Sequence, residues 1–326
     1  MGVTVAVTGP TGEIGLSAVT ALEREPAVDA IIGMARRPFD PPSRGWLKTT
    51  YQQGDVLDRE AVDALVAQAD VVIHLAFMIM GSRDESARVN LEGSRNVFEA
   101  TVAAERPRRL VYTSSVAAYG YHSDNPAPLT EDVPVRGSAE HYYSAQNAAS
   151  EALLAEITKD SPLEVFVLRP CIVAGPKATA LADAMPWNQL PGPMRAVVNA
   201  VPALKPVVPD PGFPLQLVHH DDVAAAIALA ATAPAPPGAY NIAGDGVVTV
   251  ADVARALGGR PVRVPAVAAT AASAAISRVP LMPSVLEWLH TARTSMVMDT
   301  TKAKTQLGWR PLHSSAETLE ALAGGA

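Results

Sequence analysis

The sequence predicts an α/β fold: a doubly wound parallel sheet with a smaller, mostly helical C-terminal region. Two observations carry this. Short, continuously apolar runs alternate with amphipathic stretches through the first half, as in a parallel sheet covered by helices on both faces. The first apolar run leads straight into three evenly spaced glycines and then a helical pattern.

The apolar runs are Val3–Thr8, Ala30–Met34, Val71–Leu75, Leu110–Thr113 and Val165–Leu168, each read as a strand. The stretches between them, near Leu16–Arg24, Arg59–Gln68, Ser86–Ala104 and Ser144–Lys159, have helical periodicity. After Gly175 the texture changes, and Pro176 to Pro214 is rich in proline and apolar residues. A core pattern returns at Leu215–Val218, followed by a helix over Asp222–Ala231 and a short strand at Tyr240–Ile242. The tail holds helix candidates at Val250–Leu257, Ala266–Ile276, Val285–Arg293 and Ser315–Leu322. The expected division is a core over residues 1–175, with 215–243 returning to it, and a second region formed by 176–214 and 244–326.

Composition narrows the function classes. With 326 residues, 48% apolar and 18% charged, the chain can bury a core and is not disordered. The net charge is −7, and the densest basic cluster is only Arg106-Pro107-Arg108-Arg109, so nucleic-acid binding by phosphate neutralisation is not expected. Cys171 is the single cysteine, which excludes an internal disulfide and fits a cytoplasmic protein. The N-terminus lacks the basic and apolar regions of a signal peptide. The nearest approach to a membrane span, Val262 to Pro283, carries Arg263, Arg278 and prolines, so no membrane association is expected. No Cys/His group has metal-ligand spacing, and no metal site is expected.

The glycines Gly9, Gly12 and Gly15 lie in Val-Thr-Gly-Pro-Thr-Gly-Glu-Ile-Gly, Val7 to Gly15, with Thr11, Glu13 and Ile14 between them. One glycine permits the turn, one lets the backbone approach a pyrophosphate, and one lets the helix pack on the sheet. This is the dinucleotide-binding arrangement of a Rossmann core. The second strand ends Gly33-Met34-Ala35-Arg36-Arg37, where an NAD site needs a carboxylate for the ribose 2′-hydroxyl. A guanidinium at Arg36 suits a 2′-phosphate, so NADP is favoured over NAD.

Further motifs follow in order. They are Gly54-Asp55-Val56, His74-Leu75-Ala76, Val89-Asn90-x-x-Gly93-x-x-Asn96-Val97, Tyr112 to Gly120, Leu168-Arg169-Pro170-x-x-Val173-x-Gly175-Pro176, Leu217 to Ala224, Tyr240 to Ala243 and Leu307-Gly308-Trp309-Arg310-Pro311. With the glycine loop they cover nearly the whole chain, which resembles the extended short-chain dehydrogenase/reductase family, also called NAD-dependent epimerase/dehydratase. The resemblance implies a nicotinamide cofactor held by Gly9, Thr11, Gly12, Glu13, Ile14, Gly15, Arg36, Asp55, Val56, Leu75, Ala76, Asn90, Pro170 and Val173. It implies a homodimer through the helices at Ser86–Ala104 and Ser144–Lys159.

It also implies a catalytic Ser, Tyr and Lys, the last two as Y-x-x-x-K. The serine falls on Ser115, with Ser114 beside it. Glu151, eight residues after Tyr143, selects Tyr143 and places Asn147 where the family has Lys; the other register gives Tyr142 and Gln146. Asn147 can hydrogen-bond a ribose hydroxyl but carries no charge. The loop Phe77-Met78-Ile79-Met80 and the later Met185-Pro186-Trp187 are apolar, which suits a lipophilic substrate such as a polyketide, terpenoid or aromatic ketone, with Phe77, Met78, Ser115, Val116 and Tyr143 lining its site. His219 and His220 are read as structural. The leading expectation is an NADP-dependent oxidoreductase reducing a carbonyl of a lipophilic small molecule. Alternatives are an isomerase, cyclase or lyase without net redox, a nucleotide-sugar epimerase or dehydratase, and a non-catalytic dinucleotide sensor.

Overall fold

A computed structural model describes residues 2–79, 82–185, 187–188, 190–191, 194, 205–265 and 294–325. Its centre is a seven-stranded sheet of β1 (Val3–Thr8), β2 (Val28–Ala35), β3 (Thr49–Gln53), β4 (Val71–His74), β5 (Arg109–Thr113), β6 (Glu164–Pro170) and, after four shorter strands, β11 (Gly238–Ile242). The spatial order is β3-β2-β1-β4-β5-β6-β11, and every pairing is parallel. The order reverses between β1 and β4, and in such sheets ligands bind at that point, outside the carboxyl ends of the strands.

Helices cover both faces. On one side α1 (Glu13–Arg24) and α7 (His220–Thr232) bury Ala18, Leu22, Val223 and Ile227 against Val5, Val7, Ile31 and Phe166. On the other, α2 (Arg59–Val66), α4 (Ser94–Ala103) and α5 (Tyr142–Thr158) bury Leu65, Phe98 and Leu153 against Val72, Leu110 and Tyr112. Each buried Val, Leu, Ile or Phe side chain among them contributes about 1.5–3 kcal/mol by leaving water. Asp58 caps α2 by accepting the N–H groups of Glu60 and Ala61.

The structure adds one strand that no apolar run marked and divides one expected helix. The strand β3 lies at the sheet edge and is polar, Thr-Thr-Tyr-Gln-Gln, so it carries no apolar run. The single helix expected over Ser86–Ala104 is three segments: α3 (Arg83–Ala87), a π-helical turn at Arg88–Gly93, and α4. Such π-turns concentrate at functional sites.

The C-terminal half interleaves with the sheet. A separate two-stranded pair joins β7 (Ile172–Ala174) to β10 (Leu217–His219), β8 (Val207–Asp210) pairs with β13 (Arg260–Arg263), and β9 (Pro214–Leu215) with β12 (Val248–Thr249). The short α6 (Ala180–Asp183), α8 (Val250–Ala256) and α9 (Ser315–Gly325) accompany them. A third apolar cluster holds Trp187, Leu217, Val253, Leu257 and Leu322. Trp309 is fully buried and donates to the Asp222 carbonyl at 2.8 Å, while the Asp222 carboxylate accepts the N–H groups of Leu312 and His313, docking the tail on α7. The helix candidates Ala266–Ile276 and Val285–Arg293, with Met80 and Pro186, lie outside the described residues.

Candidate active site

A groove of about 300 Å³ opens at the ends of β1, β2 and β4. Gly9, Thr11, Gly12, Arg36, Asp55, Val56, Leu75, Ala76, Phe77 and Met78 line it, all assigned from sequence to cofactor or substrate. Met34, Ala35, Gly54 and Val89 join them. Ile14 packs on the core beneath, Pro170 ends β6, and Val173 lies in β7.

The three glycines divide the work as the sequence implies. Gly9 has φ +73°, and a Cβ there would lie 2.9 Å from the Ala76 nitrogen. A Cβ on Gly15 would lie 2.1 Å from the Gly9 carbonyl oxygen. At Gly12 the φ is an ordinary −74°, and the nearest atom to a Cβ is 3.6 Å away. The protein's own packing therefore does not require glycine at 12. Gly12 also stands immediately before α1 and offers no side-chain cap, so the helix N-terminus is presented to the groove, as anion binding needs. The residues present fit a dinucleotide pyrophosphate.

At the rim the Arg36 guanidinium is 4.0 Å from the Asp55 carboxylate and remains 62% exposed. Asp55 is fixed by accepting the Leu57 N–H at 3.0 Å, and the Val56 carbonyl accepts from Asn96 at 2.9 Å. Under the groove, buried His74 bridges the Thr8 hydroxyl at 2.7 Å and the Ser94 hydroxyl at 2.9 Å. Burial pushes its pKa down to about 3, so it is a neutral strut.

Asn90, in the π-turn, serves the groove through its wall. Its side chain accepts the Met78 N–H at 2.7 Å and donates to the Met78 carbonyl at 2.9 Å, fixing the loop that carries Phe77 and Met78. It also donates to Gln146, which in turn donates to Ser86. Glu13 likewise turns to backbone groups, accepting the N–H of Thr179 and of Ala180.

Beyond Phe77 lie the residues read as catalytic. Ser115 follows β5, and its hydroxyl accepts the Ala117 N–H to cap the turn Val116–Tyr119. Tyr143 stands in the first turn of α5, its hydroxyl hydrogen-bonded with the side chains of Ser115 and Asn147. Burial raises its pKa above the usual value near 10, and those two hydrogen bonds only partly offset this. Asn147 also donates to the Tyr143 carbonyl at 2.8 Å. The alternative register is placed elsewhere: the Tyr142 hydroxyl reaches the Ile79 carbonyl, and Gln146 belongs to the Asn90 network. The Phe77 ring meets Tyr143 edge-on at 5.8 Å, joining this cluster to the groove.

Behind Ser115 runs a buried ionic network that pattern reading missed. The Ser114 hydroxyl donates to Glu151 at 2.6 Å, and Glu151 pairs with Arg169 at 2.6 Å, both nearly inaccessible. Arg169 donates to the Tyr119 hydroxyl, which donates to Asn241. Glu151 is the residue whose spacing had selected Tyr143, but spacing gives no hint of Arg169 as its partner.

His219 and His220 stand apart from Ser115 and Tyr143 in these bonding networks. His219 caps α7 through the Asp221 N–H and stacks on His313 at 4.0 Å; His220 meets the Ser17 hydroxyl at 2.9 Å and Asp221 at 3.0 Å. With Asp221 they gather three donor atoms within 4.8 Å, but the Nδ1 atoms facing Asp221 already have hydrogen-bond partners. Among the described residues no helix is long and apolar enough to cross a membrane.

Sheet order, uncapped helix, glycine loop and groove together define a nicotinamide-dinucleotide-binding enzyme of the Rossmann class. The sequence profile of the NAD-dependent epimerase/dehydratase family matches residues 5–243, and the chain belongs to that family. Human 3 beta-hydroxysteroid dehydrogenase type 7 is 34% identical over 190 residues, covering 52% of this chain and half of that protein's length. The 3-diazoavenalumate denitrifying reductase of a Streptomyces species is 29% identical over 95% of this chain and 97% of its own. Among solved structures, UDP-glucose 4-epimerase of Thermotoga maritima with UDP-glucose superposes with a TM-score of 0.71 at 21% identity, over 99% of this chain and 98% of that one.

Proposed function

We propose that this protein is an NADP-dependent reductase acting on the carbonyl of a lipophilic small molecule. The Ser115–Tyr143–Asn147 cluster, joined to the dinucleotide groove by the Phe77 ring, is the observation that carries the reading. The glycine loop, Asp55 and Val56 would hold the cofactor, which when bound supplies hydride transfer at its nicotinamide ring. The Ser115 hydroxyl orients and polarises the carbonyl oxygen. Tyr143 gives that oxygen its proton, and burial keeps it in the protonated form this needs. Phe77, Met78 and Val116 supply apolar surface. NADPH oxidation with a panel of lipophilic ketones tests the proposal, and no turnover across the panel would count against it.

A second reading has support in the relative that matches over nearly its whole length, a reductase of a diazo compound that denitrifies it. An acceptor that loses dinitrogen as it is reduced asks no proton of Tyr143, and Asn147 adds no positive charge to oppose a cationic substrate. Tyr143→Phe would then spare turnover of an arenediazonium while abolishing that of a ketone.

Cofactor choice is expected to follow Arg36. Its guanidinium at the rim suits a 2′-phosphate, and such a contact is worth on the order of 1.5–3 kcal/mol. Arg36→Ala should raise the Kd for NADPH roughly tenfold to a hundredfold and leave that for NADH within about threefold. Equal affinity of the wild type for both cofactors would refute the assignment.

A homodimer is proposed through α4 and α5. The outer face of α5 presents Ala149, Ala152 and Ala155, exposed in the single chain and small enough for close helix approach. Light scattering at micromolar concentration should report twice the chain mass; a monomer would exclude this assembly.

A further inference from the structure

Glu13 is the only charged residue between Val7 and Gly15. It opens α1, yet it is absent from the groove lining. Its Oε1 accepts the N–H of Thr179 and the N–H of Ala180, each at 3.1 Å. These amides begin α6, which has no cap of its own, because the Thr179 hydroxyl is spent on Asp183 at 2.8 Å. Glu13 is thus the cap of a helix 166 residues further along the chain. The carboxylate is a charge-assisted acceptor, and without it two partly buried donors would have no partner among the described residues.

The segment that Glu13 holds is fixed at both ends by the C-terminal half. At Gly175, with φ +134°, the chain passes edge-on to two imidazoles, and a Cβ there would lie 2.7 Å from His220 Cδ2. Ala178 and Ala182 are buried, and beyond α6 the Trp187 indole donates to the Leu257 carbonyl at 2.6 Å. Glu13 ties this segment to the phosphate loop. Its backbone belongs to the same turn that presents N–H groups to a pyrophosphate, and its side chain ends on the segment that leads into the substrate region.

We propose that Glu13 is a positioning residue that couples the two halves of the site, capping α6 from the phosphate loop so that dinucleotide binding tightens residues 175–183. The inference rests on the reading of the groove as a dinucleotide site. A bound pyrophosphate fixes the backbone of Glu13, and the fixed carboxylate fixes Thr179 and Ala180. Coupling of this kind is reciprocal, so order in the segment favours the loop conformation that binds.

Hydrogen exchange read by mass spectrometry tests it on the full chain with NADPH as ligand. In the wild type, NADPH should slow exchange both in the glycine loop and in a peptide covering 176–185. In Glu13→Ala that peptide should exchange at least tenfold faster, and NADPH should no longer slow it, although loop protection on NADPH binding persists. Glu13→Gln keeps the accepting oxygen and should restore the response. A merely structural residue would change the basal exchange but not the response to NADPH. A wild-type peptide 176–185 indifferent to NADPH while the loop is protected overturns the coupling, whatever the variants do, and so does an equal response in Glu13→Ala. A loop that NADPH leaves unprotected overturns the dinucleotide reading itself.

Discussion

Tyr143→Phe should lower kcat/KM for carbonyl reduction by about two to four orders of magnitude, the range of a lost general acid. The change removes one oxygen, whose partners are Ser115 and Asn147, and leaves the ring packed against Phe77. The direction of the reaction matters as much as its size. A tyrosine near pKa 10 is about one part in a thousand tyrosinate at pH 7, and burial lowers that fraction here. Reduction needs the abundant neutral form, so its rate should be flat through neutral pH and fall only above the raised pKa. Oxidation needs the tyrosinate, so its rate should climb with pH and still be climbing at pH 10. An ammonium at position 147 reverses this balance. A downward shift of about 3 pKa units corresponds to roughly 4 kcal/mol in favour of the tyrosinate. Asn147→Lys should therefore raise oxidation at neutral pH and move its profile downward, with little effect on reduction. The measurement is kcat/KM against pH in both directions. Full ketone reduction by Tyr143→Phe would remove Tyr143 from the role of proton donor.

What the sequence exposes is what sits close together in it. The strands β1, β4 and β5 are apolar on both faces because helices cover both faces, and their runs stand out. The edge strand β3 has one neighbour and polar residues, and it leaves no such trace. The glycine loop is legible because the turn, the phosphate approach and the helix contact all fall within one short stretch. Tyr143 and Asn147 are legible only through the resemblance to the family's Y-x-x-x-K, a motif that fits within about one helical turn. The Glu151–Arg169 pair, the Asn90 grip on Met78 and the Glu13 cap on α6 join residues from different elements, and nothing in the local pattern of either partner announces the other. The π-turn is hidden for a different reason: it spans only Arg88–Gly93, too short a stretch for its wider hydrogen-bond spacing to show against the helical pattern on either side.

Gly12→Ala and Gly15→Ala should fail in opposite ways, although both add one methyl group to the same loop. At Gly15 the new carbon would lie 2.1 Å from the Gly9 carbonyl oxygen and close to the Pro10 backbone, so α1 must move off the loop. Overpacking of that kind costs about 1–3 kcal/mol or more, and the variant should melt several degrees lower with or without ligand. At Gly12 the backbone is already in a conformation any residue adopts, and the nearest protein atom leaves ordinary contact distance. Gly12→Ala should therefore melt within about 2 °C of the wild type. Its methyl group would instead stand where a pyrophosphate must approach the first N–H groups of α1. Losing one or two such charge-assisted hydrogen bonds costs about 3 kcal/mol, or roughly a hundredfold in the Kd for NADPH. Calorimetric melting and NADPH titration of the two variants separate fold from site at one loop. A Gly12→Ala variant with wild-type affinity would mean that the glycine makes no room for a ligand, and the phosphate reading of the loop would fall with it.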